Sequence, residues 1–202
     1  MIERTVVPRI FFSGPIFKVR SDEVEVNGVI KRRDFVMHPG GAAVLPVSTL
    51  GHVTLVKQYR YALRDYCLEI PAGKIDEGEL PIQTAMRELR EEIGGTSANW
   101  HFIRRFTPSV GYTDEVIHLY LAKNVVFGPA EPDEGEHVTT VELRVEDALD
   151  LVDSGAICDA KTIIALMWYE RLLRCGASLT GKAPDCESGE QGSSPGVTPK
   201  GL

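Results

Sequence analysis

Three glutamates in the middle of the chain have the spacing of a metal-binding site. Glu88, Glu91 and Glu92 fall at positions i, i+3 and i+4, which places them within about 100° of arc on one side of a helix. Like charges at this spacing repel by roughly 0.2–0.5 kcal/mol per pair, so the cluster needs an explanation. One is a bound Mg²⁺, which takes oxygen ligands and shares its shell with phosphate. The other is a solvated acidic face beside Arg87 and Arg90.

Two short segments hold the acidic excess of the chain. Residues 69–92 carry seven acidic and three basic side chains, and residues 131–136 carry four acidic and no basic ones. Each segment therefore has a charge of −4, against −7 for the whole chain. The second contains Asp133, Glu134 and Glu136 in a predicted loop. Such clusters either face solvent or bind a cation.

The helix that carries the three glutamates is predicted over 81–93. Pro81 suits the first turn, where a missing N–H costs nothing, and Gly94 provides an end. The carboxylates are expected on the side opposite to the buried face. That face is predicted from four apolar residues at helical spacing: Ile82, Met86, Leu89 and Ile93.

The other predicted elements position this helix. Asn27 and Gly28 predict a hairpin turn between two strands near the N-terminus. Further strands are predicted over 42–47, 53–61, 68–70, 100–106, 115–126 and 138–145, and helices over 146–154 and 159–174. This mixture indicates an α+β protein or an α/β/α sandwich. Residues 176–202, with six Gly, four Ser and three Pro and no aromatic residue, are predicted to be a disordered tail.

Composition narrows the class of protein. The 202 residues are 43% hydrophobic and 25% charged, as in ordinary soluble globular proteins. The net charge of −7 disfavours nucleic acid as a partner, and no apolar run is long enough to span a membrane. The four cysteines show no paired spacing, and no signal peptide is evident. We therefore expect a cytoplasmic protein with reduced thiols.

One run has the spacing of a known signature. Gly73, Glu79 and the run RELREEIG over 87–94 resemble the Nudix box of the Nudix hydrolase family. The resemblance implies a Nudix α/β/α sandwich with a mixed sheet. It also implies an enzyme that uses Mg²⁺ or Mn²⁺ and a water nucleophile to cleave a diphosphate. Gly95 stands where the box usually has a bulky aliphatic residue, and we expect only a local packing cost there.

The resemblance also implies roles for residues in and near the box. Metal ligation is implied for the Ala72 carbonyl and for the side chains of Glu88, Glu92 and Glu136. Glu91 is expected to face the same site, and Arg87 to pair with Glu79 and orient Glu88. Glu134 is implied as the general base, a role open to a carboxylate within hydrogen-bond reach of the attacking water. Neighbouring acids of that loop are alternatives for this role.

Similarity outside the box points to one subfamily, the ADP-ribose pyrophosphatases. It covers roughly residues 25–175 and is carried by the runs 32–34, 38–40, 58–61, 68–76, 109–115 and 159–162. It implies that the substrate is a small nucleoside diphosphate sugar. For ADP-ribose, the products are AMP and ribose 5-phosphate. Substrate contacts are implied for Arg33, Asp34, Arg60, Lys74, Ser109 and Glu115.

The resemblance further implies a domain division and an assembly. We expect a small β extension over 1–39 that serves dimerisation and substrate contacts, a Nudix domain over 40–175, and a homodimer. Val110 replaces the proline that the subfamily has after its loop serine, so another nucleoside diphosphate sugar is an alternative substrate. A Nudix module that senses ADP-ribose without hydrolysis is a further alternative, disfavoured because all box carboxylates are present.

Overall fold

The first part of the chain forms a small antiparallel sheet. The computed structural model describes residues 2–131 and 138–175. Four strands make this sheet: β1 (Arg4–Val7), β2 (Ile10–Ser13), β3 (Lys18–Val26) and β4 (Val29–Met37). Strands β1 and β2 pair in succession with one edge of β3, and β4 pairs with the other. Asn27 and Gly28 have φ of 52° and 76°, which confirms the predicted turn.

A larger mixed sheet follows. Its strands are β5 (Gly41–Ser48), β6 (Val53–Arg60), β7 (Asp65–Glu69), β8 (Ala72–Lys74), β9 (Gly95–Thr96), β10 (Asn99–Phe106), β11 (Ile117–Phe127) and β12 (Thr139–Leu143). The order is β10-β11-β5-β6-β12, while β7 pairs with β6, β8 with β5 and β9 with β11. Only the β11–β5 pair is parallel among the paired strands described. Strand β5 is buried along its whole length, because helices cover both faces of the sheet.

Three helices cover the larger sheet: α1 (Pro81–Ile93), α2 (Val145–Asp153) and α3 (Ala160–Arg174). Ala42 and Val44 of β5 pack in one apolar cluster with α1, whereas Ala43 and Leu45 pack in the other with α2 and α3. Alternate residues of one strand thus face opposite layers. The expected α/β/α sandwich with a mixed sheet is confirmed. None of these three described helices has both the length and the apolar character that crossing a bilayer requires.

The predicted ends of α1 are confirmed, but its predicted buried face is partly wrong. Gly94 ends the helix in the left-handed conformation, with φ of 64° and its N–H donated to the Arg90 carbonyl. Met86 is 43% exposed, whereas Ala85 is fully buried. The small Ala85 lets the helix lie close to the sheet, which turns the buried side toward the carboxylates and leaves Met86 outside. The predicted tail, 176–202, lies outside the described residues.

Candidate active site

Gly73 lies directly against the carboxylate of Glu88. Strand β8, which contains Gly73, pairs with β5 so that Gly73 lies opposite Ala42. A Cβ atom added to Gly73 would lie 1.7 Å from Glu88 Oε1 and 2.3 Å from its Cδ. No side chain larger than hydrogen fits there without movement of Glu88. The glycine therefore allows a carboxylate to approach the backbone beside Ala72.

Glu88 and Glu92 are buried one turn apart on α1, with exposures of 8% and 4%. Burying a carboxylate is expensive unless hydrogen bonds or positive charge compensate it. This burial distinguishes the two residues from a solvated acidic helix face, because a solvated face would leave its carboxylates exposed.

Arg87 connects three carboxylates of the site. Its Nη1 donates to Glu88 Oε1 at 2.6 Å and to Glu91 Oε2 at 2.9 Å, and its Nε donates to Glu79 Oε1 at 3.2 Å. Burial would lower the pKa of Arg87, but the hydrogen bonds to Glu79 and Glu91 and the charge of Glu88 outweigh it and raise the pKa. One guanidinium is thus shared by three carboxylates. The surrounding negative charge is of the kind that a divalent cation neutralises.

Arg60, at the end of β6, is held by Glu69 of β7. Its Nε and Nη2 donate to Glu69 Oε1 and Oε2 at 2.6 and 2.7 Å. Glu69 also accepts a hydrogen bond from Lys161 at the start of α3. These side chains line a cavity of about 400 Å³ together with Cys67 and Cys158. The hydrogen bonds to Glu69 raise the pKa of Arg60, and the charge of Glu92 adds to this effect.

Two of the predicted substrate-contact residues lie on the N-terminal sheet. Arg33 donates to Glu3 at 2.6 and 2.8 Å, and Asp34 accepts a hydrogen bond from Ser21 at 2.5 Å. Both residues therefore bond within the N-terminal 39 residues, and these contacts do not join them to α1.

The remaining predicted substrate contacts are divided between β8 and the loop after β10. Lys74, on β8, pairs with Asp76 at 3.2 Å, and its carbonyl accepts from Arg87. Glu115 lies 3.5 Å from His38 Nδ1, at the end of the loop that contains the half-buried Ser109. A hydrogen bond from Val36 N–H to the carbonyl of Tyr112 attaches this loop to β4.

The predicted base and the fourth predicted ligand, Glu134 and Glu136, lie outside the described residues. The chain leading toward them is described as far as Glu131, whose N–H donates to the Glu91 carbonyl at 3.1 Å. Arg90 also lies 3.7 Å from Glu131. The start of the second acidic segment therefore contacts the C-terminal end of the helix that carries the first.

The oxygen donors among the described residues can be compared with what a metal ion requires. Within residues 2–131 and 138–175, no group of three or more His, Cys, Asp or Glu side chains is arranged to hold one. The predicted set contains only two such side chains there, since its other members are the Ala72 carbonyl and Glu136. All of these donors offer oxygen, and Gly73 leaves room for Glu88 beside the backbone. This chemistry fits a hard cation such as Mg²⁺.

Comparison with known proteins identifies the family. Residues 37–166 match the family model of the NUDIX domain. The chain belongs to the Nudix family. The Nudix relatives include the ADP-ribose pyrophosphatase of Bacillus subtilis (strain 168), which is 41% identical over 171 residues, 83% of this chain and 92% of the relative. The resemblance to the ADP-ribose pyrophosphatases stated from the sequence is thereby confirmed.

Two further similarities extend over most of the chain. The methanol dehydrogenase activator of Bacillus methanolicus is 39% identical over 171 residues, 83% of this chain and 92% of the relative. A solved structure described as an ADP compounds hydrolase has a TM-score of 0.75 and 22% identity, covering 88% of this chain and 97% of that one. At this identity, the structural match supports the Nudix fold.

The glycine at the end of this Nudix box is buried rather than surrounded by empty space. A Cβ atom added to Gly95 would lie 3.0 Å from side-chain atoms of Leu89 and Val125. These two side chains therefore leave little room for a larger residue at this position.

Sequence reasoning gave no role to Glu69, Asp159 or Lys161, although all three lie in runs that carry the subfamily resemblance. The available signal was the position of Glu69 between Leu68 and Ile70 in an apolar strand. An acidic residue buried in a strand requires a cationic partner, but the sequence does not show that Lys161 provides it.

Proposed function

We propose that this protein hydrolyses ADP-ribose to AMP and ribose 5-phosphate in a reaction that depends on Mg²⁺, with Mn²⁺ as a substitute. The observation that carries the proposal is the buried pair Glu88 and Glu92 beside Gly73, within a chain 41% identical to an ADP-ribose pyrophosphatase. In the reaction, a water oxygen bonds to one phosphorus as the bridging P–O bond breaks.

Each residue of the site has a role in this proposal. The Ala72 carbonyl, Glu88, Glu92 and Glu136 would hold the metal, which when bound supplies charge neutralisation on the diphosphate and a more acidic water molecule. Arg87 orients Glu88 through its 2.6 Å hydrogen bond and keeps Glu91 beside it. Glu134 accepts the proton of the attacking water.

Substrate contacts complete the site. Arg60 binds the diphosphate through the part of its guanidinium that is turned away from Glu69. Lys74, Ser109 and Glu115 contribute further contacts from β8 and the loop after β10. Arg33 and Asp34 contribute from the N-terminal sheet, on the surface through which a homodimer forms.

A panel of nucleoside diphosphate compounds tests the substrate. Each compound is incubated with the protein and Mg²⁺, and AMP or the corresponding monophosphate is quantified by chromatography. We expect the highest kcat/KM for ADP-ribose and a loss of at least about 100-fold in Glu92→Gln, since a ligand is at least as important as its supporting residues. Faster turnover of another diphosphate sugar would replace ADP-ribose as the substrate. Tight binding without any product would indicate a sensing module.

The assembly and the location are also proposals. Residues 1–39 would form the dimer interface, and β2 there exposes Ile10, Phe11 and Phe12 at 63%, 83% and 51%. Residues 40–175 would form the catalytic domain. The exposed free thiols of Cys158 and Cys175 are consistent with a reducing cytoplasm. Light scattering of the full chain, and of a variant lacking residues 2–17, measures the assembly; a monomeric full chain would contradict it.

A further inference from the structure

Four charged side chains form a network around Glu69: Arg60, Glu69, Asp159 and Lys161. Glu69 accepts two hydrogen bonds from Arg60, at 2.6 and 2.7 Å, and another from Lys161. Lys161 also donates to Asp159 Oδ1 at 3.0 Å. The exposed fraction is only 4% for the Glu69 side chain and 13% for Lys161 but 43% for Arg60. The network is therefore fixed at its buried end and open at Arg60.

The buried end is attached to the backbone of two elements. Asp159 caps α3, because its Oδ2 accepts from Thr162 N–H at 3.0 Å and from Thr162 Oγ1 at 2.5 Å. Thr162 Oγ1 in turn accepts from Ile70 N–H at 2.9 Å, and Thr162 is fully buried. Ile70 precedes the Pro71-Ala72 segment that leads to Gly73. The network thus joins the start of α3 to the chain entering the metal site.

The shape of a guanidinium determines what Arg60 presents to a ligand. Nε and Nη2 form one edge of a planar group, and both donate to Glu69. The opposite side, with Nη1, is consequently turned away from Glu69. Arg60 and Lys161 both line the 400 Å³ cavity. Arg60 can therefore keep its bidentate bond to Glu69 while it donates to an anion.

The charges of the network balance. Glu69 and Asp159 provide two negative charges, and Arg60 and Lys161 provide two positive ones. Without Lys161, the Arg60 charge would be opposed by two carboxylates, and the network would repel a diphosphate. Without Glu69, Arg60 would lose its bidentate partner and would be free to take many rotamers.

We propose that Glu69 and Lys161 are positioning residues that hold the Arg60 guanidinium in place for the substrate diphosphate, with Lys161 offsetting the charge of Glu69. This inference rests on the proposed function, since it names the group that Arg60 binds. Neither residue needs to touch the substrate. Their effect on binding passes through Arg60.

Single variants test the first consequence. Glu69→Gln keeps the size of the side chain and removes its charge, and Lys161→Met removes the ammonium and keeps most of the stem. We expect each to weaken binding of the non-hydrolysable α,β-methylene analogue of ADP-ribose by about 10- to 100-fold, the range for a hydrogen bond to a charged group. KM for ADP-ribose should rise in parallel, with a smaller change in kcat. Calorimetric titration in the presence of Mg²⁺ measures the binding.

Asp147→Asn is the matched control. Arg144 donates to Asp147 from Nε and Nη2 at 2.8 and 2.6 Å, the same arrangement on α2, in an exposed position. This variant should leave analogue binding and KM within about twofold of the wild type, an effect of less than 0.5 kcal/mol. An equal loss in the control would show that breaking any bidentate pair disturbs the protein, and would overturn the proposal.

A double-mutant cycle separates positioning from a purely structural role. In an Arg60→Gln background, Glu69→Gln should cost less than about threefold in analogue binding, because the residue through which it acts is already absent. Full multiplication of the two losses would overturn the proposal. If Glu69→Gln does not fold, the same cycle with Lys161→Met gives the answer. Absence of ADP-ribose hydrolysis by the wild type would instead overturn the proposed function, while the analogue cycle would still report on positioning.

Discussion

Replacing Gly73 by alanine is a direct test of the site geometry. The added Cβ atom would lie 1.7 Å from Glu88 Oε1, whereas ordinary contacts begin at 3.4 Å. The carboxylate, or the backbone of β8, must therefore move by about 1.7 Å. Metal–ligand distances tolerate changes of about 0.2 Å, so Glu88 could not act as the proposed ligand while Glu92 keeps its position.

The size of the effect follows from this displacement. A misplacement of about 1 Å at a catalytic centre can cost about 100-fold in rate, so we expect Gly73→Ala to lower kcat/KM for ADP-ribose by at least about 100-fold. The fold should survive, because the atoms that the added Cβ would meet are all at the far end of the flexible Glu88 side chain. The loss should appear as weaker metal binding in an otherwise folded protein.

Two measurements check this expectation. Titration with Mn²⁺, followed by electron paramagnetic resonance, measures metal affinity, and AMP release measures activity. Gly128→Ala is the control, since the nearest atom to its added Cβ is the Gly94 carbonyl oxygen at 3.8 Å. Wild-type Mn²⁺ affinity and turnover in Gly73→Ala, with the thermal transition unchanged, would refute the argument that Glu88 must occupy this space to bind metal.

Three further variants probe the supporting residues. Arg87→Lys keeps the charge but loses the fork that reaches three carboxylates, so kcat should fall by about 10- to 100-fold, as steady-state AMP release would show. Asp159→Ala removes the cap of α3 and should lower the free energy of unfolding by about 1 kcal/mol, measured by urea denaturation; an unchanged midpoint would contradict the cap. Burial would raise the pKa of Glu69, but hydrogen bonds from Arg60 and Lys161 lower it from 4.5 to about 2. This lowered pKa stabilises the protein above pH 4.5, and the stabilisation is lost as the pH falls toward 2. In urea titrations at several pH values, the free energy of unfolding of Glu69→Gln should therefore fall less between pH 4.5 and pH 2 than that of the wild type.

Local signals made the ends of α1 predictable, but tertiary packing determined which side is buried. Pro81 and Gly94 act within one turn of the helix, so the sequence contains their effect. The buried side was predicted from apolar residues at helical spacing, with the carboxylates on the opposite side. Ala85 is small enough to lie against the sheet, and the helix therefore buries Glu88 and exposes Met86. A carboxylate that serves a site breaks the pattern from which burial is predicted.

Strands were predictable where their apolar residues pack into the core. Strands β5 and β6 alternate against two apolar layers, and their hairpin was expected. Strands β1 and β2 are mostly exposed, so their sequences show no alternation of apolar and polar residues from which to predict them. Strand β9 has only two residues, and it is a strand because it pairs with β11. Contacts between distant parts of the chain are equally invisible, which is why the pairing of Glu69 with Lys161 was not predicted.

The central parallel pair has a consequence for how the protein is made. Gly41 of β5 lies opposite Ile117 of β11, and both box glutamates belong to the chain segment between these strands. Parallel strands need a long connection, and such distant pairing forms slowly. During synthesis, Glu88 and Glu92 therefore leave the ribosome before the strand that completes their sheet. We expect nascent chains to gain metal affinity only after Phe127 has emerged, so that the two box glutamates acquire this function well after they have left the ribosome.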